Sequence, residues 1–249
     1  VKFILSCTFL FSAFSTFAFQ DKRDVRDEAW FEELTASYTF QSMRASDGTN
    51  LSYSVILPDD YDQDKSYPTL IGFGPGNESE EAARFGLAAF WGQQSPQRGW
   101  IVIGVVKPPG NWRSTRGTSY MREILGRMAS TYKVRGDKFH FAGCSNGGNS
   151  AMYLAQELPE LLHSLTVLPG SPSGSRKRMA HLKGVRVNLF VGELDTGWKS
   201  VAMKTDRTLQ ELGVRCRLKV FPGEGHVIMA LYRGQLLTFL DDVKELGAP

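Results

Sequence analysis

The sequence predicts an α/β fold: an eight-stranded, mostly parallel sheet flanked by helices on both faces, with no segment large enough for a separate lid domain. Three observations lead there. Short apolar runs alternate with longer amphipathic stretches along nearly the whole chain. The later runs, such as Ile101-Val102-Ile103-Gly104-Val105-Val106, lack polar alternation and suit strands buried on both faces. At 249 residues the chain is long enough for one domain with a sizeable core and too short for two comfortable ones.

The first 18 residues read as a secretory signal. Lys2 precedes a run from Phe3 to Phe19 of apolar and small hydroxyl residues plus Cys7, with Ala18 and Thr16 at the spacing of a cleavage site. That run is shorter than the ~20 apolar residues of a bilayer span and is diluted by Ser and Thr. Residues 19–36, charged at Asp21-Lys22-Arg23-Asp24, read as a linker, and 37–249 as the folded domain. The expectation is a secreted or periplasmic protein with no stable membrane association once the signal is cleaved.

Strands are expected at 37–44, 51–57, 69–73, 100–106, 138–142, 164–168, 186–191 and 217–221. The first two alternate in polarity and join through Ser46-Asp47-Gly48-Thr49, a hairpin signal, so they should be antiparallel. Helices are expected at 80–94, 118–131, 148–157, 201–212 and 228–246. The last carries Leu231, Leu236, Leu237, Leu240 and Val243 at helical spacing. Two loops look long enough to shape a site, 107–117 and 169–184.

A formal charge of +3 argues for neither nucleic acid nor an anionic membrane as partner. There is no Gly-Lys-Ser/Thr phosphate loop, His-Glu-x-x-His or paired-cysteine motif, so neither metal nor cofactor is expected. Gly72-Phe73-Gly74-Pro75-Gly76 is a poor dinucleotide loop, because a proline interrupts it and the strand at 100–106 ends in Lys107 rather than an acid. After signal removal only Cys144 and Cys216 remain, too few for a disulfide framework, and two buried free thiols are expected.

The chemistry is carried by Phe139-His140-Phe141-Ala142-Gly143-Cys144-Ser145-Asn146-Gly147-Gly148, an apolar run ending in Gly-x-Ser-x-Gly. A strand that turns abruptly into a helix at a serine presents that hydroxyl at the carboxyl edge of the sheet, and the turn is tight enough to demand glycines around it. Ser145 is therefore the candidate nucleophile. Its base must come from four histidines, of which His226 alone directly follows a strand, in Phe221-Pro222-Gly223-Glu224-Gly225-His226. Asp195, after the strand at 186–191, is the candidate acid, with Glu193 in reserve and Glu224 a distant third. The order Ser145, Asp195, His226 is that of α/β-hydrolases. The Asn146 amide should be one oxyanion donor. Pro75 has no N–H, so the other falls to Gly74 or, failing that, Gly76. Trp112, Arg113, Arg116 and Trp198 are placed at the carboxyl edge, where they bind an aromatic, sugar or anionic substrate group or simply pack the loops.

With these residues placed, the chain resembles the α/β-hydrolase superfamily over essentially its whole mature length. Gly143-Cys144-Ser145-Asn146-Gly147-Gly148 is similar to the elbow of secreted esterases of the polyhydroxybutyrate-depolymerase and feruloyl-esterase type. Leu57-Pro58-Asp59-Asp60-Tyr61-Asp62, followed by Tyr67-Pro68, looks like the approach to the third strand in that group and in related peptidases. The resemblance implies Ser145 as nucleophile, His226 as base and Asp195 as acid. That group usually carries His-Gly-x-Gly where this chain has Phe73-Gly74-Pro75-Gly76. The His-Gly-Gly-Pro-Gly form of proline-releasing peptidases would align Gly72 with the histidine and Gly74 with the donor. Some feruloyl esterases bridge the elbow cysteine to one beside the histidine; Gly225 stands there instead, so no such bridge is expected.

The expected function is cleavage of small-molecule or polymer-linked carboxylic esters through an acyl-enzyme. A peptidase or acyltransferase on the same residues is the second reading, and a catalytically silent binding protein the third.

Overall fold

The computed structural model of the protein describes residues 29–247 except Ser173. Residues 1–18, read as a signal, and residues 19–28 of the expected linker lie outside the described residues. Helices α1 (Ala29–Ser37), α2 (Glu80–Gly86), α3 (Thr115–Thr131), α4 (Asn146–Glu157), α5 (Arg176–Met179), α6 (Thr196–Glu211) and α7 (Asp241–Lys244) alternate with eight strands. These are β1 (Gln41–Arg44), β2 (Asn50–Ile56), β3 (Thr69–Phe73), β4 (Ile101–Val105), β5 (Phe139–Gly143), β6 (Leu162–Val167), β7 (Arg186–Gly192) and β8 (Cys216–Phe221).

The strands form one open sheet in the order β1-β2-β4-β3-β5-β6-β7-β8. β2 runs antiparallel to both β1 and β4, and every other pairing is parallel. The parallel strands β3, β4 and β5 are buried at every residue, as their largely apolar composition requires, and the two polar members, Thr69 and His140, are hydrogen-bonded to the Tyr67 carbonyl and to Ser164. One core fills the space under α3 and α4, with Met121, Ile124, Leu154 and Ala155 against Ile71, Phe73 and Phe141. The other lies under α2 and the C-terminal segment, with Trp91, Leu236 and Leu237 against Leu70, Trp100 and Val102. No described helix is long and apolar enough to cross a membrane.

Two expectations are corrected. Residues 29–36, read as linker, belong to α1, which is tied to α2 by Arg84 Nη1 donating to the Thr35 and Tyr38 carbonyls. The long helix expected at 228–246 breaks into 3₁₀ turns at Met229–Leu231 and Gln235–Leu240 before α7. Arg233 and Gly234 both take left-handed backbone, at φ 54° and 74°, and end any helix there. The leucines nonetheless stay buried, so the apolar spacing marked the core correctly and the element wrongly.

Candidate active site

β5 delivers Ser145 to the carboxyl edge of the sheet. Its backbone sits at φ 55° and ψ −116°, a conformation that costs a non-glycine residue ~1–3 kcal/mol. Three hydrogen bonds hold the turn: Cys144 N–H to the Phe73 carbonyl (3.2 Å), Ser145 N–H to Pro169 (3.0 Å) and Asn149 N–H to the Ser145 carbonyl (3.1 Å). Glycine is required by contact. A Cβ on Gly143 would lie 2.6 Å from the Gly147 carbonyl carbon, and one on Gly147 would lie 2.7 Å from that of Phe73. α4 starts at Asn146, whose amide, first in the helix, has no intrahelical carbonyl to meet.

The sheet order brings the ends of β5, β7 and β8 to one edge. Ser145 Oγ lies 3.0 Å from His226 Nε2, and His226 Nδ1 lies 2.6 Å from Asp195 Oδ2. This geometry fixes the tautomer: Nδ1–H donates to the carboxylate, leaving Nε2 to accept from the hydroxyl. Gly192, at the end of β7, is packed so closely on the Gly225 and Glu224 backbone that a Cβ would lie 2.7 Å from the Glu224 carbonyl carbon. That approach brings the Asp195 turn to the His226 loop.

The two other carboxylates considered sit elsewhere. Glu193 Oε2 accepts from the Gly223 amide (2.9 Å), and Glu224 accepts from the amides of Met229 (2.9 Å) and Ala230 (3.1 Å). Both brace the His226 loop. The remaining histidines are also engaged away from the serine. His140 Nδ1 faces Ser164 Oγ at 2.8 Å, His163 Nε2 faces the Arg135 carbonyl at 3.1 Å and His181 Nδ1 the Gln156 carbonyl at 3.0 Å.

No family model matches the chain. A dipeptidyl-peptidase 5 from Porphyromonas gingivalis is 29% identical over 125 residues, covering 45% of this chain and 18% of that protein. Among solved structures, a thermostable esterase matches with a TM-score of 0.61 at 15% identity, over 76% of this chain and 56% of its own. A ferulic acid esterase matches with a TM-score of 0.61 at 17% identity, over 84% of this chain and 98% of its own. The chain has the α/β-hydrolase fold. It spans about a fifth of the length of the curated relative it matches and just over half of the thermostable esterase.

The loop after β3 faces the elbow. A Cβ on Gly147 would also strike the Gly74 carbonyl, so Gly74 lies beside the serine turn, and the Gly76 carbonyl accepts from Asn146 Nδ2 at 2.8 Å. Trp198 is half-buried with its ring centroid 6.0 Å from that of His226. Arg113 is exposed, and Arg116, in the first turn of α3, pairs with Asp47 of the β1–β2 turn at 3.8 Å. Trp112 requires a correction. It is fully buried and meets Phe73 edge-on at 6.0 Å, so its ring belongs to the core and offers no face to a substrate.

Cys144 is buried and Cys216 partly so; both are free thiols. Burial pushes the Cys144 thiol up to about 12, which leaves it inert beside the serine. Among the described residues, no group of three or more His, Cys, Asp or Glu side chains is placed to hold a metal ion. Sequence reasoning missed Glu78, a carboxyl only 2% exposed whose Oε2 accepts from Asn146 Nδ2 at 3.2 Å. Burial raises its pKa to about 7, against the pull of Ser150, Arg113 and Lys107. Nothing in Gly76-Asn77-Glu78-Ser79 signals this, since a glutamate in a polar loop ordinarily reads as solvated.

Proposed function

We propose that this protein is a serine hydrolase that cleaves carboxylic esters through an acyl-enzyme, without metal or cofactor. The observation that carries the reading is the hydrogen-bonded chain from Ser145 Oγ through His226 to Asp195 Oδ2, mounted on a strained elbow at the sheet edge. In this mechanism Ser145 Oγ attacks the acyl carbon as His226 Nε2 takes its proton. Asp195 holds the imidazole in the right tautomer and steadies the imidazolium. The amides of Asn146 and Gly74 stabilise the oxyanion, a term worth ~2.7–4 kcal/mol per donor. His226 then protonates the departing alcohol, and water, activated by the same imidazole, releases the acid.

Trp198 and Arg113 are the substrate contacts in this reading, Trp198 as an aromatic wall beside His226 and Arg113 as a cation on the rim. The ester is a small molecule or a polymer-linked group reached across an open edge. The N-terminal segment would direct the chain to the periplasm or out of the cell, and the mass of the exported protein tests where it is cut.

The decisive experiment is labelling with a fluorophosphonate beside Ser145→Ala. The wild type should be labelled and the variant not, with esterase turnover falling more than ~10³-fold. A folded wild type that resists the probe would sink the mechanism. A peptidase reading has one specific support, the dipeptidyl-peptidase relative at 29% identity. Comparing kcat/KM on p-nitrophenyl butyrate and on dipeptidyl p-nitroanilides separates the two.

A further inference from the structure

Glu78 is a buried carboxyl that the proposed reaction does not use, and its surroundings are built. The Asn146 side-chain amide donates to the loop after β3 at two points, the Gly76 carbonyl (2.8 Å) and Glu78 Oε2 (3.2 Å). The loop is pinned in turn. Glu78 N–H donates to the Pro75 carbonyl (3.1 Å), the Glu78 carbonyl accepts from Lys107 N–H (2.8 Å), and Ser79 N–H donates to Asn77 Oδ1 (3.0 Å). Gly76 and Glu78 both have left-handed backbone, at φ 61° and 56°. For glutamate that conformation is costly and persists only where surrounding bonds over-determine it.

The placement joins two pieces of chain that the oxyanion hole requires together. Asn146 supplies one backbone donor from the start of α4, and Gly74 the other from the loop after β3. Nothing covalent within 70 residues connects them. Backbone packing at Gly147 sets how closely they approach, but a close approach alone leaves sliding along the seam unopposed. A side-chain amide bonded at two points, one on each side of a turn, opposes it. A leucine at 78 could fill the same space at no desolvation cost, so packing alone does not account for a carboxyl there.

We propose that Glu78 is a positioning residue of the oxyanion hole: by accepting from the Asn146 side chain it holds the Asn146 and Gly74 amides in fixed register. The inference rests on the serine-hydrolase reading above. Its test is the second-order rate of inactivation by a fluorophosphonate for wild type, Glu78→Ala, Glu78→Gln, Asn146→Ala and the Glu78→Ala/Asn146→Ala double variant. Thermal melting and kcat and KM on p-nitrophenyl acetate accompany each. Glu78→Ala and Asn146→Ala should each slow inactivation at least tenfold, with the loss in kcat and KM held within about twofold. The double variant should be no more than about threefold slower than the slower single, because both remove one interaction. Glu78→Gln, whose carbonyl accepts the same bond, should recover most of the loss.

Wild-type rates in Glu78→Ala, multiplicative losses in the double variant, or a folded Glu78→Gln as slow as Glu78→Ala would each overturn the assignment while leaving the hydrolase reading intact. A folded wild type that fails to react at all would remove both.

Discussion

Replacing Gly147 by alanine puts one methyl group into the seam between α4 and the loop after β3. An ideal Cβ there would lie 2.7 Å from the Phe73 carbonyl carbon and closer still to the Phe73 and Gly74 oxygens. Ordinary contact begins near 3.4 Å, so α4 and the loop must part by about 0.7 Å or more. Neither side has a flexible tip to yield, because every atom met is backbone, and Phe73 is tethered to the elbow through the 3.2 Å bond from Cys144 N–H. Overpacking of this kind costs ~1–3 kcal/mol of stability, or roughly 2–4 °C of Tm per kcal/mol for a chain of this size. Activity should suffer more than stability. The parting separates the Asn146 and Gly74 amides, the two donors proposed for the oxyanion, and misplacement by about 1 Å costs on the order of 10²-fold in rate. The assay pairs kcat on p-nitrophenyl acetate with thermal melting. The expected result is a folded protein with its melting point lowered by several degrees and kcat down about 100-fold. Gly147→Ala within threefold of wild type in kcat, with an unchanged melting point, would refute both the seam and its place in the oxyanion hole.

Two further substitutions probe the fold away from that seam. Gly126 is an exposed position in α3 where a Cβ meets nothing within 4 Å, so Gly126→Ala should stabilise by ~0.5–1 kcal/mol and raise Tm without changing turnover; a lowered Tm would contradict the helix assignment. His140 is fully buried beside Trp100, and burial, with the His163 and Arg135 charges, pushes its pKa down to about 3. The folded protein therefore keeps it neutral while the unfolded chain protonates near 6.5, so its contribution is full above pH 6.5 and lost as pH falls toward 3, by up to ~1.4 kcal/mol per unit. Urea melts at pH 7, 6, 5 and 4 should show a shallower acid slope for His140→Asn than for wild type, and equal slopes would reject the account.

The fold was legible because its signals are local. Largely apolar runs mark β3, β4 and β5 within a residue or two at each end, and the Ser46–Thr49 turn marks the hairpin. Ser145, Asp195 and His226 were legible for a related reason: each stands just after a strand, and in a mostly parallel sheet such positions share an edge. What was missed depends on contacts between distant segments. Glu78 acquires its setting only when Asn146, 68 residues later, arrives opposite. Trp112, between Asn111 and Arg113, reads as a loop residue at a site, yet its ring turns inward onto Phe73. The 228–246 segment has helical spacing, but Arg233-Gly234 breaks it, and the Glu224 carboxylate takes the amides of Met229 and Ala230.

Backbone packing without side chains recurs wherever the site's pieces meet. Gly143 lies on Gly147, Gly147 on Phe73 and Gly74, Gly148 on Pro169 and Gly170, and Gly192 on Glu224 and Gly225. The first of these tightens the elbow itself and the others join segments that follow different strands, so main chain against main chain sets the Ser145 turn against the loops after β3 and β6, and the Asp195 turn against the His226 loop. Such packing is incompressible and fixes approach distances well. It offers less resistance to sliding, since two smooth backbones have no teeth. Directional bonds supply that resistance: Glu193 to Gly223 and Glu224 to Met229 on the histidine side, Asn149 Oδ1 to the Ser171 amide beneath the elbow, Asn146 to Gly76 and Glu78 on the oxyanion side. Three of these four braces depend on a carboxylate other than Asp195, namely Glu193, Glu224 and Glu78. The carboxylates around this site therefore divide by what they accept from: Asp195 takes the ring N–H of His226, whereas Glu193, Glu224 and Glu78 take backbone and amide N–H groups and hold loops in place.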